Sequence, residues 1–300
     1  MKVSVVIPTY RRPEVLAKAI DSVLEQTFQA FDIIIVSDGY HEETDIMMKS
    51  YRDNDRIHYY TYETNKGANH ARNYGIKKST SEYIAFLDDD DFWDNTKLEK
   101  QVNVLDENPN IGLVYTGKKI VYPSLDISYE NLPSEVGDLS EKIFYSNYIG
   151  STSNVMIRSR ILEETGLFDE RLPSMQDREL WLRVCQVTEI GAVSEPLFIY
   201  VNQDSNDQIS NSWEKKIKAF EIIDEKYANT FVKFPELREA FESKVIETVI
   251  RIAQRTEDKE ILKRYSKIYW NKYKNLHSFL FLCSTKVPFR YLLKLRTLKS

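Results

Sequence analysis

Four short runs of β-branched and aromatic residues, at 3–7, 32–37, 57–62 and 83–87, fix what the N-terminal third of this chain can become. Each run is almost continuously apolar, the pattern of a strand buried on both faces rather than on one. The stretches between them, 13–26, 42–53 and 68–79, carry their apolar residues at helical spacing, and Pro13 suits the first turn of a helix. A strand–helix alternation of this kind predicts an α/β fold with a mostly parallel, Rossmann-like, doubly wound sheet flanked by helices. Ligands of such sheets collect at the carboxyl ends of the strands. The segments "PTY", "SDG", "ETNKG" and "DDDD" each fall at one of those ends.

Beyond Trp93 the pattern changes. Helices are expected at 95–106 and 178–186, and strands at 111–122 and 192–201. A polar stretch, "NQDSNDQISNS", covers 202–212, and helices are expected at 213–231, 236–255 and 259–273. The chain therefore divides on paper near residue 210, into an α/β part (1–210), read below as catalytic from its motifs, and a helical extension (211–300). Its 42% hydrophobic and 29% charged residues are those of a globular protein. There is no apolar run long enough to span a bilayer, no signal peptide at Met1, and no metal-ligand spacing around Cys185 and Cys283. A cytoplasmic protein is expected.

Asp88 to Asp91 form the most unusual local feature. A helix cap accounts for one aspartate, not four. Alternation along a strand would aim Asp88 and Asp90 at one point and turn Asp89 elsewhere. Two carboxylates converging on one point call for a divalent cation or a shared proton. Hard oxygen ligands favour Mg²⁺ or Mn²⁺, which take further ligands from substrate phosphates. No GxxxxGK[ST] or GxGxxG motif is present, and "DDDDFWDNTKLE" lacks the central glycine of a calcium-binding loop.

Taken in order, "VSVVIPTYRR", "IIIVSDG", "NKGANHARNYGI", "YIAFLDDDDFW" and "QDRELWLR" strongly resemble the family 2 glycosyltransferases of the GT-A fold, over roughly residues 1–205. The resemblance implies an inverting, metal-dependent transfer from a nucleotide-sugar donor. It divides the catalytic part into a nucleotide-binding region of about 1–91 and an acceptor-binding region of about 92–210. Carried over by position, Thr9 and Tyr10 would line the base and ribose pocket, Asp38 would hydrogen-bond a uracil ring, and Arg72 would lie near the diphosphate. Asp90, with Asp88, would contact the metal, and Asp89 the ribose. Asp177 would be the general base with Trp181 packed behind it, and Ser210 would reach the diphosphate. The chain departs from the family pattern at Arg11, where Asn is usual. It departs again at Ser37 and Tyr40 around Asp38, and at Gln176, where an acid usually precedes the base.

The implied reaction moves a sugar from a UDP-sugar to a hydroxyl of a cell-surface glycan or lipid-linked saccharide. The alternatives are a sugar nucleotidyltransferase, or a non-catalytic protein that binds nucleotide sugars or glycans. A nucleotidyltransferase would carry glycine in the loop after the first strand, and "IPTYRRPE" has none.

The net charge of −5 is unevenly spread. After Glu260 the chain has ten Lys and Arg and no acid, leaving −15 on the first 260 residues. The tail 277–300 mixes these cations with Phe and Leu, which predicts peripheral contact with anionic lipid on the inner face of the cell membrane. The strongly acidic body argues against nucleic acid. The helices between 213 and 275 offer a candidate homodimer surface.

Overall fold

The computed structural model describes residues 1–201, 212–285, 287 and 291. The first half contains β1 (Val3–Thr9), α1 (Pro13–Leu24), β2 (Phe31–Ser37), α2 (Glu42–Met48), β3 (Ile57–Thr61), α3 (Ala68–Lys78) and β4 (Tyr83–Phe86). Strands β3, β2, β1 and β4 lie side by side and parallel. Successive side chains go to opposite faces, and the core shows it. Val6, Ile34, Val36, Ile84 and Phe86 join one apolar cluster, while Val3, Val5, Ile7, Ile33, Ile35 and Ala85 join another. Burial on both faces is why β1, β2 and β4 read as unbroken apolar runs, whereas β3, at the sheet edge, is only partly buried, against the expectation. Helix α1 starts with Pro13 in its first turn and buries Leu16, Ala19, Ile20 and Val23, a single stripe.

The second half contains β5 (Asp91–Trp93), α4 (Lys97–Glu107), β6 (Ile111–Tyr122), β7 (Ile127–Asn131), α5 (Lys142–Tyr145), β8 (Val155–Arg158), α6 (Ser159–Thr165), α7 (Gln176–Val184) and β9 (Glu189–Val201). Here the sheet becomes mixed. The order β3-β2-β1-β4-β8-β6-β9-β5 places β8 antiparallel to β4 and β6, with β9 parallel to β6 and β5 antiparallel to β9. The short strand β5 was not expected from its sequence. It exists because Asp91 pairs with Tyr200 across the chain.

Helices α8 (Trp213–Lys226), α9 (Ala228–Lys233), α10 (Pro235–Arg255), α11 (Lys259–Tyr273) and α12 (Leu276–Ser284) follow. The single helix expected over 213–231 is broken at Tyr227. The break lets Tyr227 and Phe231 both set their rings edge-on against Phe144, each with centroids 6.0 Å away. Ala219, Ile223, Phe231, Phe241 and Val245 join the same cluster as Leu180, Trp181 and Leu182 of α7. The helices α8–α10 therefore buttress the element that carries Asp177. Helices α11 and α12 build a further cluster with the end of α10, around Ile250, Ile261, Tyr269 and Phe281. No helix among the described residues is long and apolar enough to cross a membrane.

Helix α3 packs tightly against β1 at Gly75, where an added Cβ would lie 2.5 Å from Val6 Cγ1. In an open helix, Gly→Ala gains about 1 kcal/mol. Overpacking a fixed core costs about 1–3 kcal/mol, and buried Val6 has little freedom to move. Gly75→Ala is therefore expected to lower the free energy of unfolding in a urea titration. A stabilised variant would show that the α3–β1 contact is looser than described.

Candidate active site

The carboxyl ends of β1, β2 and β4 meet along one edge of the sheet, and the aspartates sit there. They do not continue the strand. The Asp91 amide donates to the Asp88 carbonyl at 3.1 Å, closing a turn over Asp88–Asp91. This corrects the expectation that strand alternation would separate Asp89 from its neighbours. Asp89 is buried, and it accepts from Thr9 Oγ1 at 2.7 Å and from Arg12 Nη1 at 3.3 Å. The same Arg12 nitrogen reaches Asp90 Oδ2 at 3.1 Å. Arg72, buried on α3, donates to Asp88 Oδ1 at 2.5 Å. Asp91, buried as the first residue of β5, accepts from Ser153 Oγ at 2.5 Å. That same oxygen accepts the Asp88 amide at 3.1 Å.

These contacts offset the crowding without cancelling it. Burial pushes the Asp89 carboxyl from its ordinary 3.8 up to about 6, against the opposing pull of Thr9 and Arg12. Burial, followed by the charge on Asp88, also raises Asp90. Asp91 is raised well above its ordinary value, by burial and then by Asp88 and Asp90. The side chains of Asp88 and Asp90 remain 31% and 25% exposed, against 9% for Asp89. Exposed hard-oxygen ligands with surplus negative charge fit a divalent cation at Asp90 and Asp88. Among the described residues no group of three or more His, Cys, Asp or Glu is placed to hold a metal by itself. One or two protein ligands suit Mg²⁺ or Mn²⁺, which retain waters and bind substrate oxygens.

Asp38 follows β2 and is almost fully buried. Its Oδ1 accepts from the Tyr62 hydroxyl at 2.7 Å and the Lys66 amide at 2.7 Å. Its Oδ2 accepts from Asn65 Nδ2 at 2.9 Å and the Gly67 amide at 2.8 Å. A carboxylate has about four acceptor positions, so this one is filled by its own chain. The expected contact with a uracil ring would have to displace one of these donors. Gly39, at φ +102°, allows the close approach, since a Cβ there would meet the Asn65 nitrogen at 3.1 Å. Tyr10 is exposed at the end of β1, with the Arg11 guanidinium 5.1 Å from its ring centroid. Thr9 faces inward to Asp89. Ser210 lies outside the described residues.

Asp177 stands in the first turn of α7, partly exposed, after Met175 in the left-handed region at φ +56°. Asn147 Nδ2 lies 3.5 Å from Asp177 Oδ2. Asn147 Oδ1 also accepts the Gly150 amide at 3.0 Å, and the Gly150 carbonyl accepts Trp181 Nε1 at 3.0 Å. Next to Asp177, Arg178 is buried over the Phe241 ring, 3.9 Å from its centroid, and burial lowers its pKa to about 10. Residues 147–153 thus form a strap between the aspartate turn and Asp177. Asn147 is at Asp177, while Thr152 and Ser153 bond Asp88 and Asp91. Sequence reasoning found both acids but missed the strap and Arg12. The available signals were the second arginine of "TYRRPE" and the hydroxyl-rich "GSTSN" ahead of an apolar strand.

The profile of Glycosyl transferase family 2 matches residues 4–166. The chain belongs to glycosyl transferase family 2. This family 2 glycosyltransferase is 34% identical over 196 residues to a glycosyltransferase of Rickettsia bellii, a match covering 65% of this chain and 28% of that relative. It therefore spans well under a third of that protein's length. It is 29% identical over 220 residues to the Escherichia coli UDP-Glc:alpha-D-GlcNAc-diphosphoundecaprenol beta-1,3-glucosyltransferase WfgD, covering 72% of this chain and 82% of the relative. Among solved structures, Staphylococcus aureus TarS 1–349 in complex with UDP-GlcNAc superposes with TM-score 0.61 at 17% identity, covering 100% of this chain and 93% of that one. The Pyrobaculum calidifontis mannosyltransferase PcManGT in complex with GDP-Man and Mn²⁺ gives TM-score 0.61 at 15% identity, covering 98% and 84%. The shared architecture is the GT-A fold, with a helical C-terminal region.

Raised carboxyl pKa values make the folded state of the transferase bind protons more readily than the unfolded chain. The contribution of Asp89 to stability is therefore fully present below about 4 and is lost as pH rises through about 6. Urea titrations of the ligand-free transferase across this window should show stability falling from that contribution. Asp89→Asn should flatten the slope, and an unchanged slope would contradict the assignment.

Proposed function

We propose that the chain is an inverting glycosyltransferase that moves a sugar from a nucleotide diphosphate donor, a UDP-sugar by preference. The acceptor is a hydroxyl of a cell-surface glycan or a lipid-linked saccharide. The observation that carries this reading is the strap 147–153. It ties a carboxylate-rich turn at the strand ends to a separate aspartate on α7, so one short segment sets the spacing of the two acids. Support for the donor and acceptor classes comes from the relatives. WfgD is named for UDP-Glc and a diphosphoundecaprenol-linked GlcNAc, TarS is described with UDP-GlcNAc, and PcManGT with GDP-Man and Mn²⁺.

In this reading Asp90 and Asp88 hold Mn²⁺ or Mg²⁺, which when bound offsets charge on the leaving diphosphate. Arg12 and Arg72 set the positions of the carboxylates, and Thr9 braces Asp89. Exposed Tyr10 is free to lie against the base of the donor. Asp38 holds the segment 62–67 that precedes Arg72 on α3. At the other acid, Asp177 accepts the proton of the attacking hydroxyl as general base. A single displacement, with base and leaving group on opposite sides of the sugar, inverts the anomeric carbon. Residues of about 1–91 serve the donor, those of about 92–210 the acceptor, and 211–300 are a C-terminal extension whose described helices run from Trp213 to Ser284. The basic segment 277–300 rests on the inner membrane surface, a placement supported by exposed Leu276, Phe279 and Leu280 beside the run of cations.

The test uses binding and turnover separately. UDP with Mn²⁺ should raise the melting temperature, and Asp90→Ala should lose most of that rise. Asp177→Asn should keep it yet lose sugar transfer by about 10²–10⁴-fold. Near-normal turnover in Asp177→Asn would remove Asp177 as the base. Equal stabilisation of Asp90→Ala would remove the metal assignment.

A further inference from the structure

The two oxygens of Asp177 are not equivalent. Oδ2 faces the side-chain amide of Asn147 at 3.5 Å, while Oδ1 has no hydrogen-bond partner among the described residues. The orientation of that amide is set by Gly150. Asn147 Oδ1 accepts the Gly150 amide at 3.0 Å, which decides the end of the side chain that carries the hydrogens. Of the two hydrogens on Nδ2, one goes to the Gly150 carbonyl at 3.2 Å and the other is left for Asp177. A separation of 3.5 Å is the outer limit of a hydrogen bond, and contacts of catalytic groups often shorten when substrate arrives.

The Gly150 carbonyl also accepts Trp181 Nε1 at 3.0 Å. Asp177 and Trp181 stand one helical turn apart on α7, so they share a face. A closed circuit results, from Asp177 to Asn147, Gly150 and Trp181, and back along α7 to Asp177. Trp181 is fully buried, which anchors the circuit in the core. The strap has other anchors as well. Buried Asn154 donates to the Ile149 carbonyl at 2.8 Å and to the Thr116 carbonyl at 3.0 Å. With Trp181 on the Gly150 carbonyl and Asn154 on that of Ile149, the strap needs from residue 147 chiefly an acceptor for the Gly150 amide. The donor hydrogens are surplus to that task, and one of them meets the acid.

We propose that Asn147 is a positioning residue for the general base: it holds Asp177 Oδ2, so that Oδ1 is the atom that takes the acceptor's proton. The inference rests on the reading of Asp177 as that base. In the step, the acceptor O–H proton passes to Asp177 Oδ1, and the freed electron pair on oxygen forms the bond to the anomeric carbon. The pair of the breaking anomeric C–O bond leaves on the nucleoside diphosphate. Fixing one carboxylate oxygen in advance removes a rotation that would otherwise be frozen during transfer. Asn147 meets no reacting atom and acts through Asp177 alone.

The experiment follows UDP release by the full chain from UDP-glucose and UDP-N-acetylglucosamine, with Mn²⁺ and with water as acceptor. Asn147→Ala should lower kcat about tenfold with little change in KM for the donor, the mark of an interaction that counts only in the transition state. Asn147→Asp keeps an acceptor for the Gly150 amide but offers Asp177 no hydrogen. It should keep the melting temperature and its rise with UDP and Mn²⁺, yet lose at least as much kcat. In an Asp177→Asn background, Asn147→Ala should cost nothing further, because the pair acts as one unit. Near-normal kcat in Asn147→Asp, or an equal loss from Asn147→Ala with and without Asp177, would reduce Asn147 to a brace for the strap and overturn the proposal alone. If the wild type releases no UDP, or Asp177→Asn releases it at the normal rate, the function proposed above falls first and this assignment with it.

Discussion

Four adjacent carboxylates persist at the end of β4 because four different parts of the chain hold them. Thr9 closes β1 onto Asp89, Arg12 spans Asp89 and Asp90 from the start of α1, Arg72 reaches Asp88 from α3, and Ser153 caps Asp91. Each contact offsets part of a repulsion that no single partner could absorb. The sum is still unfavourable, since three of the four carboxyls are pushed toward their neutral form. A turn held at this cost argues for function over packing. It also joins the parallel and mixed halves of the sheet, because Ser153 and Thr152 lead directly into β8.

The arrangement behind the turn is a chain of positional constraints. Asp38 fixes the amides of Lys66 and Gly67, which set the start of α3. Asn69 and Asn73 on that helix bond the backbone of 168–172, fixing its orientation. Arg72, between them in sequence, is thereby aimed at Asp88. The motif "NKGANHARN" is thus mostly scaffolding, with one residue directed into the site. Seen this way, the filled carboxylate of Asp38 and the buried guanidinium of Arg72 belong to one device.

What could be read from the sequence follows from how local each feature is. Strands β1, β2 and β4 were legible because burial on both faces leaves an unbroken apolar run, and the acids at their ends were legible because nothing else there is charged so densely. Strand β5 was not, since three residues acquire strand geometry only from the pairing of Asp91 with Tyr200. The break at Tyr227 was equally silent, with no Gly or Pro to mark it, because its cause is the ring of Phe144. Ser153 and Thr152 read as ordinary turn residues until the fold brings them to Asp91 and Asp88. The turn over Asp88–Asp91 likewise defeats a strand-alternation argument, because that argument assumes extended backbone where the chain already bends. Arg12 was overlooked because a basic residue near the start of a helix is by default solvated.

The two acids of the site sit in opposite electrostatic surroundings. At the aspartate turn negative charge exceeds the guanidinium groups available. Asp177 attracts cations instead, raising the proton affinity of Lys118, Lys216 and its neighbour Arg178. Lys118 is attracted by both Asp91 and Asp177, so the two acids share one cation. On the function proposed above, the surplus of carboxylates at the turn draws a cation-bearing donor to that end of the site.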